Sequence, residues 1–268
     1  MISLGHVQLQ KAFRQRQVRL FDGQRVCRVS SRTLLQPGQL LFINKPAGLK
    51  VQGVKNSLDA LMRTGLRLRP TDDPKLVHRL DRNASGVMVV ARDADAATWL
   101  SAAFKDKSLQ GQAGGSSPTP DQQLLAPGLH IRRVYHALLA RQLPRRQEGS
   151  IRMPLLVAGR KVEALTHYRV MQSSPQGISW VELEPVTGRQ HQLRIHCARV
   201  LQAPILGDAS SLDLGGALPG GRTRALPLFL HARKMLLKKP GEDTMKVVAP
   251  LPVYMMDVIH ALGWPLPV

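Results

Sequence analysis

Short apolar runs separated by Pro and Gly set the rhythm of this chain. Leu41-Phe42-Ile43 reads as a buried strand that Pro46 and Gly48 stop. A helix is expected over residues 57–64, with Leu58, Leu61 and Met62 available to pack. Residues 87–91 form an unbroken apolar run and read as a central strand. Asp93 then caps a helix whose Ala96, Leu100, Ala103 and Phe104 recur at helical spacing. A strand follows at 131–140, with Arg133, Tyr135 and Ala137 on one face and Val134, His136 and Leu138 on the other. Strands over 161–171 and 178–183 are joined by a turn at 173–176 that contains Pro175. Beyond Gly188 the stripe Leu193, Cys197, Val200 and Leu201 predicts a helix. A late strand starts near Leu230, and a helix over 254–262 ends at Gly263. Brief connections between successive strands predict mainly antiparallel pairing and an α+β fold.

The flanks of this pattern differ in character. Residues 7–16 suit a short helix with Val7, Ala12 and Phe13 inward and Lys11, Arg14 and Arg16 outward. A strand at 17–20, a turn at 21–24, a return at 26–29 and the Pro37-Gly38 turn follow. Residues 109–128 are Gly, Gln, Ser, Pro and Ala with little apolar pattern, which predicts a flexible surface insertion. Residues 212–225 read as a Gly-rich surface loop. The expected organisation is a basic extension over 1–40 and a main domain over 41–268 that carries the insertion.

Charge narrows the partners. The 268 residues hold 38 Lys and Arg against 18 Asp and Glu, a net charge of +20. That excess favours a polyanion partner. Cys27 and Cys197 make no disulfide framework, and nine scattered histidines show no zinc spacing. No Gly-x-Gly-x-x-Gly follows a strand, and no phosphate-loop lysine is present, so nucleotide-cofactor enzymes are poor candidates. No apolar run is long enough for a membrane span.

The chemistry concentrates at residues 77–91, where a charged knot runs into the central strand. His78-Arg79-Leu80-Asp81-Arg82 contains one carboxylate, Asp81, with Arg79 and Arg82 beside it. Neighbouring cations favour a charged carboxylate, which suits a nucleophile, an electrostatic stabiliser or an ordinary ion pair. Three other stretches share its density of unusual residues: Asn44-Lys45-Pro46-Ala47-Gly48, Arg132-Arg133-Val134-Tyr135, and Gly188-Arg189-Gln190-His191-Gln192-Leu193-Arg194-Ile195-His196. Pro204-Ile205-Leu206-Gly207-Asp208, Leu230-His231-Ala232 and Ala249-Pro250-Leu251-Pro252 extend the series.

Together these resemble the motifs of the RluA family of RNA pseudouridine synthases, from about Leu41 to Gly263. Two positions depart from the family pattern. Ala84 stands where a Thr is usual in the central motif, and Gln190 replaces a Thr in the later one. The stretch before Leu41 resembles part of an S4-type RNA-binding module. The resemblance implies a bent, mainly antiparallel mixed sheet with flanking helices and a central RNA-binding cleft. It implies isomerisation of uridine to pseudouridine in structured RNA (ribosomal, transfer or messenger), with no cofactor and no metal. Asp81 would be the catalytic carboxylate, Arg194 its pairing partner and Tyr135 the residue that stacks on the flipped base. Leu193 would pack the pocket. Arg79 would fill the space the base leaves, and Lys45, Arg82 and Arg189 would hold RNA backbone.

Two other readings fit parts of the sequence. An RNA-binding or ribosome-assembly factor that kept the fold without turnover is compatible with Ala84, Gln190 and the insertion. A glycosidase for free nucleosides would call for paired carboxylates, and the central motif supplies only Asp81. Acid-poor composition before Asp59 points to mitochondria for a eukaryotic source, with the cytoplasm as the alternative. A monomer is expected, since no heptad pattern or second apolar face is present.

Overall fold

The apolar run after the charged knot becomes β5 (Ser85–Ala91), and all of it is buried. The computed structural model describes residues 20–22, 25–27, 40–54, 57–65, 73–110, 130–208, 226–239 and 244–266. The predicted helix at 7–16 and the loop at 212–225 lie outside them, as does the insertion predicted over 109–128 except for Leu109 and Gln110, which continue a helix rather than begin a loop. The chain divides into two compact units. The first comprises residues 1–107, 117–132 and 232–250, and the second comprises 108–116, 133–231 and 251–268.

In the first unit, β1 (Leu20–Asp22) pairs with β2 (Arg25–Cys27) and β3 (Leu40–Lys45), and β3 pairs with β5. All three pairings are antiparallel. The short β4 (Lys75–Leu76) adds to β5. Strand β12 (Leu230–Lys238), which belongs to this unit from Ala232 onward, follows β5 in the strand order and pairs with β13 (Met245–Val248). Among the described residues its helices are α1 (Leu58–Gly65) and α2 (Ala94–Gln110). Ser57 caps α1 by accepting from the Ala60 N–H at 3.1 Å, and Asp93 caps α2 by accepting from Ala96 N–H at 2.7 Å, as its position predicts. Ala96, Leu100 and Ala103 of α2 pack with Phe42, Val87, Val89, Met235 and Val247 into the core. Gly86 is needed at the β5–β12 approach: its φ is +116°, and a Cβ there would lie 2.6 Å from the Ala232 nitrogen.

The second unit carries the antiparallel order β6-β11-β10-β7. These are β6 (His130–Leu139), mostly in this unit, β7 (Glu148–Arg152), β10 (Leu165–Ser174) and β11 (Ile178–Pro185). A separate hairpin joins β8 (Leu155–Val157) to β9 (Arg160–Val162). Its described residues also form the helices α3 (Gln192–Arg199) and α4 (Val253–Ala261). Trp180 stacks on Trp264 at 6.4 Å, and Phe229 meets Tyr254 edge-on at 5.2 Å.

The fold is α+β with a mostly antiparallel mixed sheet, in agreement with the sequence expectation. Three local expectations need correction. The strand predicted over 161–171 is two strands, because the β8–β9 hairpin ends at Val162 and β10 starts at Leu165. Residues 143–150 are not only a turn, since β7 starts at Glu148. The apolar stripe of α3 does not include Val200, which follows the last helical residue and is 46% exposed.

Candidate active site

Asp81 sits on a turn that closes with the Ala84 N–H donating to its carbonyl at 3.2 Å. Several contacts hold this turn. Upstream, the His78 ring stacks on Phe104 at 4.6 Å, and its Nε2 accepts from the Val89 N–H of β5 at 2.9 Å. Leu80 is buried, so the knot is nailed down between exposed Arg79 and half-buried Asp81. Downstream, Gly48 clips the turn twice. Its N–H donates to the Arg82 carbonyl at 2.8 Å, and its carbonyl accepts from Arg82 Nε at 3.1 Å.

Lys45, the last residue of β3, completes this arrangement. It is fully buried, and Nζ donates to the carbonyls of Pro46, Leu49 and Arg82 at 2.8, 3.0 and 3.1 Å. Three acceptors match the three donors of an ammonium group. Burial pulls its pKa down from 10.5 to about 7, and the charge of Asp81 opposes that shift. The expectation that Lys45 holds RNA backbone therefore needs correction. Its amine is spent on carbonyls inside the protein, where it ties the Pro46–Leu49 turn to the Asp81–Arg82 turn. Ala84 is fully buried. A threonine hydroxyl there would need a partner, and a methyl does not.

The second unit holds the other sequence-predicted residues. Tyr135 lies on β6 opposite Leu183 of β11 and is buried. The motif at 188–196 forms the turn into α3 and its first residues. Gln192 anchors it through four hydrogen bonds. Its Oε1 accepts from Thr187 Oγ1 at 2.7 Å and the Arg189 N–H at 3.0 Å, and Nε2 donates to the Leu165 carbonyl at 2.9 Å and Thr166 Oγ1 at 3.0 Å. With Thr166 accepting from Gln192, its own hydroxyl proton goes to His196 Nδ1 at 2.9 Å, and His196 Nε2–H donates to the Met153 carbonyl at 3.1 Å. Burial depresses the His196 pKa, which suits this neutral ring. Leu193 is buried beside this network, and half-buried Arg189 donates Nε to the Glu163 carbonyl at 3.2 Å.

Arg194 makes a two-pronged ion pair with fully buried Asp208. Nη2 to Oδ1 is 2.5 Å, and Nε to Oδ2 is 2.9 Å. Arg194 Nη1 also lies 2.6 Å from His191 Nδ1. His191 has φ 55° and ψ 17°, left-handed backbone that strains a non-glycine residue by about 1–2 kcal/mol. Asp208, His191 and Gln192 carry roles that sequence reasoning did not assign, although all three lie inside its quoted motifs. Burial pushes the Cys197 thiol up to about 12, with the Asp208 charge adding to the effect, so this cysteine is inert. Asp81 belongs to the first unit, and Tyr135, Arg189, Leu193 and Arg194 belong to the second.

A family model described as RNA pseudouridylate synthase matches residues 39–199, more than half of the chain. The chain belongs to the RNA pseudouridylate synthase family. The match takes in Lys45, Asp81, Tyr135 and Arg194. "RNA pseudouridine synthase 4, mitochondrial" of Arabidopsis thaliana is 40% identical over 201 residues, covering 67% of this chain and 40% of the plant protein. "Pseudouridylate synthase RPUSD4, mitochondrial" of rat is 30% identical, over 89% of this chain and 71% of the rat protein. Among solved structures, "Human RNA Pseudouridylate Synthase Domain Containing 4" superposes with a TM-score of 0.67 at 27% identity, covering 88% of this chain and 94% of that one. The chain spans about two fifths of the length of the Arabidopsis relatives.

Proposed function

We propose that this chain converts uridine to pseudouridine within structured RNA. The family match across residues 39–199, with an aspartate at position 81, carries this reading. In the reaction the bond from C1′ to N1 breaks, the uracil turns, and C1′ bonds to C5. The proton on C5 leaves to solvent, and N1 gains one. Asp81 meets the electron-poor sugar carbon as nucleophile or opposing charge. Arg194 pairs with Asp81 and directs it. Tyr135 stacks on the uracil once the nucleotide is flipped out, a step that costs a few kcal/mol. Arg79 takes the vacated space and contacts phosphate, and Arg82 and Arg189 contact backbone phosphate. Similar proteins from Arabidopsis and rat are named mitochondrial, and we place this chain there for a eukaryotic source.

The test follows the C5 proton. RNA carrying tritium at C5 of uridine, taken from cells lacking the gene, is incubated with the purified chain. Tritium release by the wild type, reduced at least about a thousandfold in Asp81→Ala, supports the reading. Equal release by both would refute the role of Asp81. RNA binding without release by either protein would favour a binding factor on the same fold.

A further inference from the structure

Arg194 is gripped from two sides within its own unit. Nε and Nη2 donate to the two oxygens of Asp208 at 2.9 and 2.5 Å, and Nη1 donates to His191 Nδ1 at 2.6 Å. An arginine only donates, so His191 Nδ1 is the acceptor. Three of the five guanidinium N–H groups are engaged this way.

Both gripping residues are themselves fixed. His191 adopts its left-handed backbone at the N-terminus of α3, and this turns the imidazole onto the residue three positions ahead. Asp208 closes the turn at 205–208, with its N–H donating to the Ile205 carbonyl at 3.1 Å. Gly207, at φ +74°, makes that turn possible, because a Cβ would strike the Pro227 carbonyl. Leu206 N–H donates to the Leu138 carbonyl of β6 at 2.8 Å, and Ile205 bridges to Leu139. The turn that holds Asp208 thus hangs on the strand that carries Tyr135.

We infer that Asp208 and His191 are positioning residues, which hold the Arg194 guanidinium in one plane and one direction so that it can orient Asp81. This rests on the proposed pairing of Arg194 with Asp81. A side-on fork on Asp208 fixes the guanidinium plane, and the imidazole stops it from swinging about that fork. Loosening either contact leaves RNA contacts in place and disorders the carboxylate's partner. The effect falls on kcat rather than on KM.

The full chain is assayed by tritium release from the same labelled RNA, with folding followed by circular dichroism. Asp208→Asn keeps the size and loses the charge, and His191→Ala loses the acceptor. Each is expected to lower kcat at least tenfold while KM for RNA stays within about threefold. His191→Asn restores a side-chain acceptor at a residue that tolerates left-handed backbone, and it should recover to within about threefold of wild type. If Asp208→Asn does not fold, the two His191 variants decide. Wild-type kcat in Asp208→Asn and His191→Ala, beside inactive Asp81→Ala and Arg194→Lys, would overturn the positioning role and leave the proposed chemistry intact. Activity in Asp81→Ala would overturn both.

Discussion

Lys45 shows how one buried residue shapes the Asp81 turn. Its ammonium serves three carbonyls, and burial depresses its pKa to about 7. In the unfolded chain the amine keeps its proton to about pH 10.4. Between about 7 and 10.4 the unfolded state binds more protons, so folding stability rises with pH across that window. The contribution is lost as pH falls through 7. The slope for one group is at most about 1.4 kcal/mol per pH unit. Denaturant unfolding from pH 7 to 10 should show this rise in the wild type, and Lys45→Met should flatten it. Parallel curves for the two proteins would contradict it. Sequence reasoning set Lys45 on RNA backbone and so misjudged its direction. A lysine in a turn motif reads as a surface charge, and nothing in its neighbours reveals that β3 carries it inward.

At the scale of elements, glycines and caps set the cost of change. Gly86→Ala should destabilise by at least about 3 kcal/mol, because φ +116° and the Ala232 backbone both oppose a side chain. An unfolding midpoint close to the wild type would contradict this. Gln192→Leu leaves the Leu165 carbonyl, the Arg189 N–H and two threonine hydroxyls without the partner they share, at a cost of about 3 kcal/mol. Thermal melts measure that loss. Elements with strong period were legible: β5, the capped α2, β6, and the helix closed by Gly263 all lie close to their predicted places. β7 was missed because Ile151 is its only buried residue. The β8–β9 hairpin was missed because its turn is Ala158-Gly159, with φ 49° and 78°, rather than the usual Asn-Gly. The motifs were legible, yet Asp208 and Gln192 gained roles only from geometry, since hydrogen-bond partners 14 and 27 residues apart leave no local trace, and His191 gained its role from a left-handed backbone that its residue type does not announce.

Across the whole molecule, the charge of +20 favours a polyanion, which under the proposed function is RNA. Affinity should fall steeply with salt as phosphate contacts release counterions. Arg79 and Arg82 are exposed, whereas Lys45 is buried. Arg79→Ala and Arg82→Ala should each reduce the slope of log K against log salt by about 1, and Lys45→Met should leave it unchanged. Filter binding from 50 to 200 mM salt reads all three, and equal slopes for every variant would refute the assignment. The division into two units was not legible in sequence, because β6 and β12 each run from one into the other without a linker.

The central claim is that this chain makes pseudouridine and that Asp81 does so. Pseudouridine mapping across total RNA tests it most directly, in cells with the intact gene, with none, and with Asp81→Ala supplied back. Sites present with the wild type and missing from both other samples are the predicted result, and they name the substrate at the same time. Sites that return with Asp81→Ala would contradict the claim.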